Sequence, residues 1–183
     1  MVVYHKESSN LQIIKEFSID YHFSELHYNI VKSSITVFIN EVLYRVVKEE
    51  EANPQLFEFL YNAIQFLDIT DGNINNFHLM FLVKLSQFLG FYPSGIFSEK
   101  TPYFDMMEGG FKAEVPLHSY CLNEEESKIL GELKLLPFDK SDLIKLTSLQ
   151  RNVMIDNLLA FYKLHIPNFS EIKSREVLKV VFS

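Results

Sequence analysis

Few residues in this chain have the types and spacing that chemistry requires. Cys121 stands three positions after His118, the one close Cys–His pair in the sequence. A thiol becomes a nucleophile when a base reaches its sulfur and a third group orients that base. Three positions apart in a loop is not the usual arrangement, and no Asn or Asp suggests itself as orienter. A hydrolase using His118 and Cys121 is therefore set aside in favour of a half-buried thiol behaving as a small apolar side chain. Zinc needs about four ligands, often from two close pairs, and His118-x-x-Cys121 supplies one pair with no second. His5, His22, His27, His78 and His165 are scattered and read as surface or hydrogen-bonded core histidines. Glu108-Gly109-Gly110-Phe111 lacks both the spacing and the Lys-Ser/Thr of a phosphate loop, and no G-x-S-x-G elbow exists. The expectation is no catalytic residue, no metal and no cofactor.

Two constellations could bind rather than react. Ser174 has the character of a helix N-cap and lies between Lys173 and Arg175. Free backbone N–H groups beside two cations form a candidate DNA or phosphate site; an ordinary cap answered by Glu171 and Glu176 is the competing reading. The second constellation is a groove on the Phe- and Leu-rich helices. Phe57, Leu60, Phe81 and Lys84 are its candidate residues, an apolar trough with a cationic lip suited to a peptide ending in aromatic and acidic groups. Plain core packing is the alternative. The runs Lys48-Glu49-Glu50-Glu51 and Glu124-Glu125-Glu126 read as solvated helix ends.

Composition bounds the scaffold that must carry these groups. With 183 residues, 48% of them hydrophobic, the chain suits one globular domain or one with a small appendage. A net charge of −7 disfavours a globally basic nucleic-acid binder, though not a local basic patch. A single cysteine excludes an internal disulfide and fits a reducing compartment. The densest apolar stretch, Phe77 to Phe91, is interrupted by Lys84, Ser86 and Gln87 and is shorter than the roughly 20 residues of a membrane span. It reads as a buried helix, and no membrane segment is expected.

The periodicity predicts a mainly α protein. Val2 to Tyr4 reads as a strand with no visible partner, which suggests missing upstream sequence. Tyr28 to Glu50 is helical, with Ile35, Phe38, Ile39, Val42, Leu43 and Val46 on one face and Glu41–Arg45 as an i,i+4 pair. Asn53 and Pro54 start a second helix as N-cap and first residue. A third runs from about Ile74 to Leu89, apolar almost all round and so central, with Gly90 as its C-cap. Residues 92–121 hold half of the Pro and Gly and read as a loop-rich insert with a small β-hairpin around Glu108-Gly109-Gly110. Asn123 caps a fourth helix. Ser141 to Leu146 is a short helical piece, Ser148 to His165 a long helix ended by Pro167, and Ser174 to Phe182 a last short one.

The segments Val3-Tyr4-His5-Lys6, Phe38-Ile39-Asn40-Glu41-Val42-Leu43-Tyr44-Arg45-Val46-Val47 and Leu56-Phe57-Glu58-Phe59-Leu60 come in a telling order. They are followed by Phe81-Leu82-Val83-Lys84-Leu85, Leu89-Gly90-Phe91-Tyr92-Pro93 and Ile172-Lys173-Ser174-Arg175-Glu176-Val177-Leu178. In order and spacing these resemble the bacterial recombination mediator family RecO, over nearly the whole chain. The resemblance implies an N-terminal OB-fold, then an α-helical domain with a small zinc-ribbon-like insert. On that basis residues 1–17 are the remnant of the OB-fold and its exit, and residues 18–183 the helical domain. The insert is degenerate, since Cys121 is alone where some members carry paired cysteines. The resemblance further implies a non-enzymatic role in DNA repair and recombination in the bacterial cytoplasm, associated with the nucleoid. Family members dock to the acidic, Phe-ending tail of single-strand-binding protein, work with RecR, help load recombinase and anneal single-stranded DNA. DNA contact by this chain is expected to be weak, because the OB-fold is largely missing. A helical interaction scaffold with no direct DNA role is the alternative.

Overall fold

The computed structural model describes residues 1–8, 11–48 and 52–182. Glu49, Glu50 and Glu51 of the acidic run, and Ser9, Asn10 and Ser183, lie outside the described residues. The elements in chain order are β1 (Val2–Tyr4), β2 (Ile13–Glu16), α1 (Ile30–Val46), α2 (Pro54–Ile69), α3 (Phe77–Phe88), β3 (Tyr103–Asp105), β4 (Gly110–Lys112), β5 (Cys121–Leu122), α4 (Glu124–Leu135), α5 (Ser148–His165) and α6 (Arg175–Val181). A 3-10 helix, Phe138–Leu143, links α4 to α5.

The architecture is mainly α, as the pattern implies, and α3 is its axis. Nine of the twelve α3 residues are buried, and α1, α2, α4 and α5 all pack on it. A helix apolar on every side has no face to give to water, so it must be surrounded. Phe77, Leu79, Met80, Phe81, Leu82 and Leu85 are wholly inaccessible. Tyr162 of α5 donates its hydroxyl to the Leu82 carbonyl at 2.6 Å and so satisfies its one polar atom at the centre of the core. Gly90 ends α3 at φ 86°, and the Phe91 N–H reaches back to the Ser86 carbonyl at 3.1 Å, the pattern of a left-handed helix stop.

The capping signals act as expected. Asn53 accepts from Leu56 N–H, and Asn123 and Glu126 close a reciprocal capping box on α4. The linking helical piece differs in place and type. It is a 3-10 turn starting at Phe138, directly after Pro137, not a helix over Ser141 to Leu146. Pro137 and the aromatic packing of Phe138 set its start.

The N-terminal strand needs correcting as well. Val2–Tyr4 is not an orphan: it pairs antiparallel with Ile13–Glu16. Leu11 to Phe17 alternates too weakly to reveal that strand, since both ribbon faces are exposed and no core side enforces period two. In the insert, Tyr103–Asp105 and Gly110–Lys112 form the expected hairpin, with Gly109 at φ 67° in its turn. Cys121–Leu122 adds a third strand on the other side of β3.

Candidate functional site

The residues linking Phe17 to α1 are held by one carboxylate. Asp68, buried near the end of α2, accepts the N–H groups of Ser24, Glu25 and Leu26 at 2.8–3.1 Å and the Tyr21 hydroxyl at 3.0 Å. Burial pushes its pKa up, but the converging donors outweigh that and hold it well below the usual carboxylate range. Lys32 donates its ammonium to the Asp68 backbone carbonyl at 2.7 Å. This is an anchor for the linker rather than a reactive group.

The predicted groove residues separate. Phe81 is fully buried, and Phe57 is 68% exposed and stacks on Tyr61. Residues 57 and 59 lie about 200° apart on a helix, so Phe57 points away from the face that Phe59 presents. Leu60 and Lys84 are half-buried. A groove does exist beside them. Phe59, Asn62, Ala63, Phe66, Phe138 and Asp139 line a cleft of about 410 Å³. Its floor is a stack of rings: Phe59 lies on Phe81 at 5.3 Å and on Phe88 at 4.9 Å, and Phe138 lies on Phe77 at 4.7 Å. The Lys84 ammonium sits 5.7 Å from the centre of the Phe138 ring, and burial pushes its pKa down. Phe81 thus supports the groove from beneath, and Lys84 borders one of its walls. Phe138 and Phe66 escape a sequence reading because only the fold brings the 3-10 turn against α2.

The cluster Lys173, Ser174 and Arg175 stays together at the start of α6, but its backbone donors, the Ser174 hydroxyl and the Arg175 guanidinium are already engaged. Glu41 of α1 accepts the N–H groups of Lys173 at 3.0 Å and Ser174 at 2.8 Å, and the Ser174 hydroxyl as well. Ser174 is the N-cap residue, but its side chain serves Glu41 and not the helix. Glu41 is therefore committed to α6, where the sequence pattern pairs it with Arg45. Arg175 is ion-paired with Asp156 and Glu176.

His118 meets a partner that the sequence hides. Its Nε2 lies 3.3 Å from Oδ2 of buried Asp105, and Asp105 pairs with Cys121 across β3 and β5. Asp105 also accepts the N–H groups of Met107 and Glu108. The Cys121 thiol donates to the Leu122 carbonyl, and burial followed by the charge of Asp105 pushes its pKa up. A thiol held protonated is a poor nucleophile, so the trio ties the insert together. Among the described residues no cluster of three or more His, Cys, Asp or Glu could hold a metal. No helix among them is long and apolar enough to cross a membrane.

The fold is thus a helical bundle around one apolar helix, with a small sheet inserted after that helix. The chain belongs to the family described as Recombination protein O C terminal, which matches residues 27–176. It is 39% identical to the DNA repair protein RecO of Flavobacterium psychrophilum and 38% identical to that of Phocaeicola vulgatus. Each alignment covers 98% of this chain and 74% of the relative. The DNA repair protein RecO of Bacteroides fragilis is 34% identical over 97% of the chain and 74% of the relative. No solved structure matches the chain. The family membership places the protein in DNA repair and recombination.

Proposed function

We propose that the chain is the helical, protein-docking part of a recombination mediator that acts without catalysis. In this reading residues 1–17 are the exit of an OB-fold and residues 18–183 the docking domain. The partners are single-strand-binding protein, RecR and single-stranded DNA, in the cytoplasm at the nucleoid. The carrying observation is the cleft between α2 and the 3-10 turn. Its rings Phe59, Phe66 and Phe138 can receive an aromatic side chain, while Lys84 beside Phe138 attracts a terminal carboxylate. Asp139, on the cleft's rim, opposes an acid there and so favours one direction of entry.

The test is fluorescence anisotropy with a labelled acidic peptide ending in Phe. The intact chain should bind it saturably. Lys84→Glu should weaken binding about tenfold or more, as expected for reversing a partly desolvated charge, with an unchanged circular dichroism spectrum. Equal affinity in both would remove Lys84 and this cleft from the docking site.

A second reading, a helical scaffold with no direct DNA role, is favoured by one observation. Glu41 occupies the amides of Lys173 and Ser174, and two acids neutralise Arg175. Absence of any salt-dependent oligonucleotide binding would select it.

A further inference from the structure

A different cleft has the opposite electrostatic character from most of this acidic chain. About 290 Å³ in volume, it is lined by Asn73, Asn75, Asn76, Lys145, Thr147 and Arg151, with Ile144 and Leu146 completing its wall. No Asp or Glu lines it, although the chain carries a net charge of −7. Asp71 and Asp142 line neighbouring clefts instead.

Arg151 is the central feature. It is only 7% exposed. Its Nε donates to the Asn76 side-chain oxygen at 3.2 Å, and its Nη2 donates to the Leu146 carbonyl at 3.2 Å. Its guanidinium lies 5.4 Å from the centre of the Phe182 ring. All three partners are neutral, and among the described residues no carboxylate forms an ion pair with it. A guanidinium cannot shed its proton, so among the described residues this buried cation is held by neutral groups alone and keeps its attraction for an anion.

Two helix ends add to this positive potential. Asn76 is the N-cap residue of α3, a helix of 12 residues, and Thr147 is that of α5, a helix of 18. Both line the cleft, so two helix-dipole ends converge there. The Asn76 side chain makes no capping bond to α3; its amide goes to the Ile144 carbonyl at 2.7 Å and its oxygen to Arg151. It therefore fixes the guanidinium and the loop that closes the cleft. Exposed Lys145 on that loop supplies a second cation.

The geometry points to a binding site for a phosphate group, held by Arg151 and Lys145 between the N-terminal ends of α3 and α5. The Thr147 hydroxyl is held by Gln150 and the Asn76 amide by the Ile144 carbonyl. The Lys145 ammonium, the remaining N–H groups of the Arg151 guanidinium and the Asn73 and Asn75 amides offer donors from several directions, which suits a tetrahedral oxyanion. The volume leaves room for a phosphate carried on a sugar. The inference does not depend on the peptide-docking cleft.

The test follows the backbone amide resonances of the full chain by NMR at constant ionic strength. The probes are inorganic phosphate, sodium chloride as control, and a short single-stranded oligonucleotide. Phosphate should shift resonances of residues 144–151 saturably where chloride does not. Lys145→Glu, at an exposed position, should weaken that response about tenfold or more, an effect on the scale of losing a charge-assisted contact and adding repulsion. Arg151→Gln should abolish it, and Lys145→Glu decides alone should Arg151→Gln fail to fold. An oligonucleotide that shifts the same resonances assigns the site to nucleic-acid backbone; a response to inorganic phosphate alone assigns it to a small phosphorylated compound. No response to either probe, a chloride response equal to that of phosphate, or an unaltered response in Lys145→Glu would overturn the proposal.

Discussion

Glu41 and Ser174, 133 positions apart in the chain, meet at 2.8 Å: the α1 carboxylate accepts the backbone N–H that opens α6. A side chain of the first helix thereby caps the last helix, which packs beside it. Burial pushes the Glu41 pKa up, but the hydrogen bonds from Ser174 and Lys173 more than offset this and leave it lowered from 4.5. The bond's contribution is thus complete above pH 4.5 and is lost as pH falls through the lower folded value.

Glu41→Gln should cost about 1.5–3 kcal/mol, the range for hydrogen bonds to a charged group. Thermal unfolding should shift down by several degrees, on the order of 2–4 °C per kcal/mol for a domain of this size. The same variant removes the carboxylate from the amides of Lys173 and Ser174, so any anion affinity of that cluster should rise. A variant with unchanged melting temperature would show that α6 holds its position by apolar packing alone.

Asp68→Asn should be more damaging. An amide presents one acceptor oxygen where three backbone N–H groups and a tyrosine hydroxyl converge, and its own N–H groups would face donors. Leaving buried donors unsatisfied costs about 1–3 kcal/mol each where water cannot replace the bond. Urea unfolding should register a loss of about 3 kcal/mol, the lower bound for breaking a buried charged contact. Limited proteolysis should at the same time open cleavage sites between residues 18 and 29. Intact protection of that segment would refute the anchoring role.

His78 predicts a pH dependence. It is buried between Phe38 and Phe182, and burial, then the charge of Arg151, pushes its pKa down to about 3 from 6.5. Above pH 6.5 both folded and unfolded chains hold it neutral, and it has no effect. Below 6.5 the unfolded chain binds a proton that the folded chain refuses, so stability falls by about 1.4 kcal/mol per pH unit toward pH 3. Between pH 7 and pH 5 the parent chain should therefore lose about 2 kcal/mol more than His78→Leu. Denaturant titrations at the two pH values measure this, and parallel losses in both chains would exclude His78 as the source.

Most of the helical scaffold is legible in the sequence because its signals are local. Asn53-Pro54, Asn123 with Glu126, and the all-apolar Phe77 to Phe88 each declare their structure within a turn or two. The small strands are harder to read. Cys121–Leu122 is two residues long and takes its place only because Asp105 offers a vacant edge. The candidate clefts are the least legible. Phe57 and Phe59 have the same residue type two positions apart, and only the packing of the 3-10 turn against α2 makes one a groove wall and the other a surface ring. Glu41 has an obvious local partner in Arg45, yet serves Ser174, a preference that only tertiary distance reveals. Arg151 reads as one more polar residue on a long helix, and its burial among neutral partners follows from how the loop before α5 closes over it.

The central position of α3 has a consequence for how the chain emerges during synthesis. Its partners α1 and α2 precede it, but α4 and α5 follow it. When α3 leaves the ribosome, two of the four surfaces that will cover it do not yet exist. At a translation rate of about 5–20 residues per second, the roughly eighty residues from the end of α3 to the end of α5 take several seconds to arrive. For that interval the most apolar segment of the protein is only half enclosed, and its shelter must come from transient contacts or from a chaperone.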